Sequence, residues 1–440
     1  MTLPPENHGA SGRMTRMRWW ILGLLFFSTT LNYLDRMVTG VLAPDLQKQY
    51  AISDVQYGYI QSAFALFYAF GQAFSGRLLD IIGTRIGYAL SLAAWSGASM
   101  LHAVAHGFLG FRVVRALLGV AESPAFPAAA KAVAEWFPRR ERAFAFGFIN
   151  AGTNMGVIFA SAMVPWLTVH YGIGSAFVVT GAIGFVALAL WIPIYKKPSE
   201  HPGVSPAELA YINSDQEEPP FKLPWLTLVR CRQTWAFALG KFLTDPMWWF
   251  YMTWFPKYLN KNYGVDLLHI GLPLVAIYFI SDLGSVAGGW LSSSLIKRGW
   301  TVNLARKTAL FVSLLFVLPI FFAENITSLW GAVLVLGMVT AAQQGFSSNL
   351  FTLVSDMFPR QAVASVAGFG GMCGYFGASL FQLVVGYSVE KHHNYAVPFV
   401  CAGSAYLIAL GLVHLLAPRL EPARIGPRYA SESVAEPSRL

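Results

Sequence analysis

Asn32-Tyr33-Leu34-Asp35-Arg36 is the stretch that decides how this chain is read. It sits inside residues 19–42, which are otherwise almost wholly apolar and long enough to cross a bilayer. An acid and a base side by side there have no water to solvate them. Inserting such charges costs several kcal/mol, so they are kept for a task rather than for packing alone. A second set lies downstream, where Arg115 and Glu122 share the apolar segment 110–130. On a helix that spacing puts both on one face, roughly 10 Å apart along the axis. Two intramembrane acid–base pairs point to a protein that moves protons and an anion across a membrane.

The rest of the chain agrees with a membrane setting. It has 440 residues, 55% hydrophobic and 12% charged, where a soluble domain carries about 25% charged residues. The apolar residues form blocks of about 20 rather than amphipathic stripes. Twelve blocks are legible, at 19–42, 56–79, 86–106, 108–130, 143–167, 173–195, 233–258, 267–295, 307–323, 327–354, 362–387 and 396–417. Backbone groups in lipid must be satisfied within the segment, so each block is expected to be a helix.

The net charge of +9 raises the question of nucleic acid. Its distribution answers no. With a cytoplasmic N-terminus, all but eight Lys and Arg fall on the cytoplasmic side. Lys48, Lys257, Lys261 and Lys391 fall outside, and Arg36, Arg112, Arg115 and Lys241 lie within spans. That bias sets both termini in the cytoplasm. The partners expected are the lipid bilayer, a small carboxylate and protons, with the protein acting as a monomer. Cys231, Cys373 and Cys401 have no metal spacing, and neither a disulfide, a metal nor a cofactor is expected. No cleavable signal is visible: the first 18 residues are polar, with Arg13, Arg16 and Arg18, and the first apolar block is too long.

The longest polar interruption is 196–232, rich in proline, with one short helix expected at 206–214. It separates six blocks from six. The expected division is a tail at 1–18, a six-helix bundle at 19–195, a linker at 196–232, a second bundle at 233–417 and a tail at 418–440. The halves echo each other. Trp136-Phe137-Pro138-Arg139 follows block four, and Met357-Phe358-Pro359-Arg360 follows block ten, at an offset of 221. The same offset lays Gly147-Phe148 on Gly368-Phe369 and Gly156 on Gly377. Repeated halves put a substrate site at their interface near the midplane. The offset also lays Gln343 on Glu122, so the titratable acid is in one half only and the halves should have different jobs.

Together these features resemble the major facilitator superfamily. The loop with Gly76, Asp80, Gly83 and Arg85 is similar to its inter-helix motif, with Ile81 and Thr84 where the family often has bases. Tyr33-Leu34-Asp35-Arg36, Ser62-Ala63-Phe64-Ala65 with Tyr68, Arg115 through Glu122 followed by Pro124-Ala125-Phe126-Pro127, and Trp254-Phe255-Pro256-Lys257-Tyr258-Leu259 resemble the anion:cation symporter branch. Lys241-Phe242-Leu243-Thr244-Asp245-Pro246-Met247-Trp248-Trp249 and Ser348-Asn349-Leu350-Phe351-Thr352 resemble its hexuronate and galactonate types. The likeness runs from about 19 to 417. It implies an all-α integral membrane fold of twelve transmembrane helices in two pseudo-symmetric six-helix bundles. It also implies a proton-coupled symporter in a bacterial inner membrane, importing a hexuronate or related sugar acid by alternating access.

Roles follow from chemistry. Asp35 and Glu122 are the proton-carrier candidates. A poorly solvated carboxyl holds its proton more readily, and a nearby arginine works the other way. The bland alternative is a static charge pair holding helices together. Arg36 keeps its proton and can grip a carboxylate with two prongs. Arg115 is expected to pair with Asp35 or Glu122 and to change partner during the cycle. Lys241 lies one turn before Asp245, as an i,i+4 salt bridge or as a second cation for the substrate. By the resemblance, galactonate-type carriers have a neutral amide there. Among the polar residues within spans, Tyr33, Tyr68 and Asn349 are favoured for the substrate, although each alone is as readily interhelical glue. Asp282 reads as a packing or gating acid. Arg77, Arg85, Arg139, Arg140 and Arg142, with Asp80 and with Asp356 of the other half, are expected to form ion pairs that close the inside.

A different carboxylate (aldonate, aldarate or aromatic acid) and export by proton antiport remain open alternatives. An enzyme is not expected, since no HExxH, G-x-S-x-G or P-loop is present and the histidines are scattered. A transporter-like sensor is disfavoured by intact proton-binding groups.

Overall fold

The computed structural model describes residues 14–214, 225–358 and 360–423, except the side chains of 139, 143, 225, 226, 360, 361 and 364. Twelve main helices follow in order: α1 (Met17–Val41), α2 (Asp54–Ile82), α3 (Thr84–Leu101), α4 (Gly107–Glu122), α5 (Arg139–Tyr171), α6 (Ile173–Ile194), α7 (Arg232–Tyr263), α8 (Gly271–Lys297), α9 (Val302–Val317), α10 (Leu329–Met357), α11 (Arg360–His392) and α12 (Ala396–Leu416). There is no strand among the described residues. Pro124, which has no N–H to donate, ends α4, and the chain resumes as the helix Ala125–Trp136. Ser53 opens α2 with a capping box to Gln56. Gly83, at φ +80°, joins α2 to α3 with no further loop residue, a conformation that side chains rarely accept.

Seven of the twelve pass as membrane spans on length and apolar composition: α5, α6, α8, α9 with its 3-10 extension Leu318–Asn325, α10, α11 and α12. The five that do not include the carriers of the buried charges: α1 holds Asp35 and Arg36, α4 holds Arg115 and Glu122, and α7 holds Lys241 and Asp245. Large apolar side chains such as Phe74, Ile81, Val286, Trp290, Phe322 and Leu407 stand exposed on the outer surface, as lipid contact requires. The chain is an all-α, multi-pass membrane protein.

Within the first six helices α1 packs on α5, α2 on α4 and α3 on α6. Within the second six α8 packs on α10, and α7 on α11 and α12. The two sets meet through α2 with α11, α5 with α8, and α1 with α7. The linker lies at the end of the helices where α1 begins, here called the linker end. Its short helix spans Pro206–Ile212, within the stretch expected. Its docking was not foreseen. Glu208 is fully buried and accepts from Thr15 Oγ1 at 2.6 Å, from the Met17 and Arg18 backbone N–H groups, and from the Arg18 guanidinium at 3.2 Å. It therefore satisfies the free donors at the start of α1.

The opposite, far end is where the halves are closed. One apolar core runs through it from Met37, Val38 and Val41 of α1 to Met252 and Phe255 of α7 and Val385 of α11. A second core, with Ile21, Trp136 and Tyr195, occupies the linker end of the first half and, among the described residues, takes Trp249 and Ala378 from the other, with Tyr375 packed against it. Backbones touch at the far end. A Cβ on Gly58 would lie 2.6 Å from the Gln382 carbonyl oxygen, and one on Gly40 would lie 2.6 Å from that of Met252. Tyr57 Oη donates to the Thr253 carbonyl at 2.9 Å, and Lys257 pairs with Asp54 across the same seam.

Candidate functional site

The charged residues of the first half converge near the middle of the bundle. Arg36 Nε donates to Glu122 Oε2 at 2.6 Å, and both side chains are buried. They are 86 residues apart in sequence, brought together by α1 and α4. The guanidinium sits in an aromatic box, 4.8 Å from the Tyr33 ring centre, 4.7 Å from Tyr68, 5.4 Å from Phe64 and 5.5 Å from Trp249. Electron-rich ring faces replace some of the hydration that a buried cation loses. Tyr375, from α11 of the other half, stacks on Tyr68 with centres 4.1 Å apart and accepts from Arg36 Nη1 at 3.2 Å.

Asp35 is next to Arg36 in sequence but turns elsewhere. Its Oδ1 accepts from Ser99 Oγ on α3 at 2.8 Å, while Oδ2 has no hydrogen-bond partner among the described residues. Arg115 departs from expectation. It pairs with neither Asp35 nor Glu122, but donates from Nη2 to Gln61 Oε1 at 2.6 Å and lies 4.7 Å from the Phe64 ring centre. It is fully buried, with Nε and Nη1 unpartnered among the described residues. A neutral amide on α2 bonds it without neutralising its charge.

The second half contributes differently. Lys241 Nζ pairs with Asp245 Oδ1 at 2.6 Å, the i,i+4 bridge that their spacing allows, and lies 4.3 Å from the Phe351 ring centre. Asn349 donates its amide to the carbonyls of Gly288 and Gly345, each at 2.9 Å. That geometry joins α8 to α10 and leaves its Oδ1 without a partner among the described residues. Gln343, the counterpart of Glu122, accepts from Tyr406 Oη at 2.6 Å. Asp282 is bonded by Asn154 of α5, which in turn accepts from Gln344 at 3.2 Å, so this acid sits on the α5–α8 seam.

The loop ion pairs differ from those expected. Asp80 pairs with Lys131 at 2.8 Å, and Asp356 with Arg306 at 3.0 Å, each within its own half. Arg85 donates to the Ile192 carbonyl at 2.8 Å, and Arg142 to those of Ala134 and Phe137. The side chain of Arg139 lies outside the described residues. The partners differ because Lys131 and Arg306 stand on helices packed against the acids, which loop sequence does not reveal. Tyr375, Gln61 and Ser99 were missed altogether. Polar side chains within spans were the available signal, and it does not separate these from helix-packing residues.

Residues 25–382 match the model of the Major Facilitator Superfamily. The chain is 34% identical over 377 residues to the hexuronate transporter of Escherichia coli K12, covering 84% of this chain and 87% of that one. It is 30% identical to a D-galactonate transporter of Escherichia coli O6:H1, over 92% and 96% of the two chains. A probable galactarate/D-glucarate transporter of Escherichia coli K12 is 32% identical, over 89% and 93%. Among solved structures, an inward-facing, occupied bacterial homolog of the human lysosomal transporter Spinster superposes with a TM-score of 0.69 at 17% identity, over 92% of this chain and 96% of that one. The chain belongs to the major facilitator superfamily. It is a transporter and not an enzyme.

Proposed function

We propose that the protein is a proton-coupled symporter that imports a hexuronate, or a closely related sugar acid, by alternating access. The observation that carries this reading is the buried Arg36–Glu122 pair inside its aromatic box. Breaking a buried pair and leaving one charge bare costs about 3–5 kcal/mol. Arg36 therefore becomes free for a substrate carboxylate only when something neutralises Glu122. A proton does so, and the substrate carboxylate then replaces Glu122 as the partner of Arg36. Proton and anion arrive together, which is symport. Asp35, bonded by a hydroxyl rather than a cation, is a second station for the proton, and Arg115 supplies the field that returns it.

Three relatives named for hexuronate, galactonate and galactarate/glucarate transport support a polyhydroxy carboxylate as the substrate class. Tyr33 and Tyr68 supply hydroxyls beside Arg36, and Lys241 stands on the other half for the far part of the ligand. The reading places the linker end in the cytoplasm of a bacterial inner membrane, with both termini there and one chain as the working unit. The loop pairs of Asp80 and Asp356 are then intra-half partners in the open-inward state. The test is counterflow in liposomes, with labelled glucuronate, galacturonate, galactonate and galactarate. Exchange of at least one, with accumulation driven by a proton gradient of the same direction, is the expected result. No exchange of any of the four overturns the substrate class, and accumulation against the opposite gradient makes the protein an antiporter.

A further inference from the structure

Tyr375 stands in the half that holds none of Asp35, Arg36, Arg115 and Glu122. Even so, its hydroxyl oxygen accepts from Arg36 Nη1, at 3.2 Å. The aim of that hydroxyl is fixed from two sides. The ring lies on Tyr68 of α2 at 4.1 Å with planes 27° apart, and 5.5 Å from Trp249 of α7. Close packing of α11 on α7 sets its depth, since a Cβ on Gly377 would fall 3.1 Å from Pro246 Cγ. A phenol donates as well as accepts, whereas a guanidinium only donates. A carboxylate reaching Arg36 accepts the Nη1 N–H hydrogen bond in place of the phenol oxygen, and the phenolic O–H is then beside it and able to turn toward it.

We propose that Tyr375 is a substrate-binding residue: its hydroxyl donates to the same carboxylate that Arg36 grips, so the anion is held by one donor from each half. This rests on the organic-anion reading above. It gives the ligand a direct part in alternating access. With no anion present, the Tyr375 hydroxyl joins the halves through one hydrogen bond from Arg36, beside the Tyr68–Tyr375 stack. With the anion bound, they meet through the ligand, by charge-assisted bonds that are stronger than neutral ones.

The experiment uses purified full-length protein in liposomes and the sugar acid that wild type exchanges. Tyr375→Phe keeps the ring and removes the donor. A hydrogen bond to a charged group is worth enough to expect a rise in KM for exchange of about ten- to a hundredfold. Maximal rate is expected to stay within about threefold, because the remaining machinery is intact. Tyr375→Phe combined with Arg36→Lys should raise KM by less than the product of the single effects, since both act on one carboxylate. Wild-type KM in Tyr375→Phe, with impairment only in Tyr375→Leu, shows that the ring packs and the hydroxyl does nothing, and overturns the proposal. Should Tyr375→Phe not purify as a single species, Tyr375→His retains a donor and Tyr375→Leu has none. A KM for His nearer to wild type supports the proposal, and equal values overturn it. Failure of wild type to exchange any sugar acid strikes the transport reading instead, so the two failures are distinct.

Discussion

Glu122 of α4 and Gln343 of α10 hold matching places in the two halves, yet they are used in opposite ways. Glu122 is a buried acid bonded to Arg36, whereas Gln343 is a neutral amide bonded to Tyr406. The same contrast extends around them. The first half gathers Asp35, Arg36, Arg115 and Glu122 with one ion pair among them, so its charges have room to change partners. The second half has Lys241 and Asp245 on adjacent turns of one helix, already neutralising each other. A duplicated architecture has thus kept its helix packing and divided its chemistry. On the proposed reading, one half titrates, and the other presents rings, amides and a closed ion pair to whatever the first half binds.

Making the first half resemble the second is the sharpest way to test this division. Glu122→Gln and Asp35→Asn should each abolish accumulation driven by a proton gradient, while exchange without net proton movement survives in part. Full gradient-driven accumulation in both variants would falsify the coupling assignment. Arg36→Lys keeps the charge and loses the planar fork, and should weaken substrate binding by at least about tenfold in a competition assay. Wild-type affinity would remove Arg36 from the carboxylate site.

Making the second half resemble the first should cost stability and gain nothing. Gln343→Glu buries a carboxylate beside the Tyr406 hydroxyl, with no cation paired to that position among the described residues, so lower yield and a Tm lower by several degrees are expected, with pH dependence of uptake unchanged. A new proton-coupled step in that variant would show that the halves are interchangeable. For Lys241, the single change Lys241→Gln strands Asp245, whereas Lys241→Gln with Asp245→Asn strands nothing. If the pair is structural, the double variant recovers expression and the original ranking of glucuronate, galacturonate and galactonate. A ranking altered in both variants makes Lys241 a substrate residue. The smallest effect is expected from Asp80→Asn. Its exposed pair with Lys131 is worth less than about 1 kcal/mol, so uptake should stay within about twofold of wild type.

Much of this was legible in the sequence, and the part that was not has a physical cause. Blocks of apolar residues gave twelve helices because lipid demands both length and hydrophobicity. Asp35, Arg36, Arg115 and Glu122 stood out because charge in such blocks is costly. Partner choice was a different matter. Arg36 bonds Glu122 rather than leaving it to Arg115, because the packing of α1 on its neighbours sets which guanidinium arrives, and spacing along one helix says nothing about that. Asp80 meets Lys131 for the same reason. Tyr375 was hidden because one tyrosine among the 18 in this chain carries no mark of its own until the second half is folded against the first.

The apolar core that runs unbroken through the far end has a kinetic consequence. If alternating access operates and this closed arrangement is the resting one, a solute arriving on that side meets carriers of which only a minority are open to it. Its apparent affinity falls by that fraction, so one intrinsic dissociation constant shows itself as two, one for each face. A separation costing about 2.8 kcal/mol makes the far face about a hundredfold less sensitive than the linker face. Equilibrium accumulation is untouched, since the gradients alone fix it. What the contact sets is the concentration at which each face saturates, and therefore which side of the membrane the transporter responds to first.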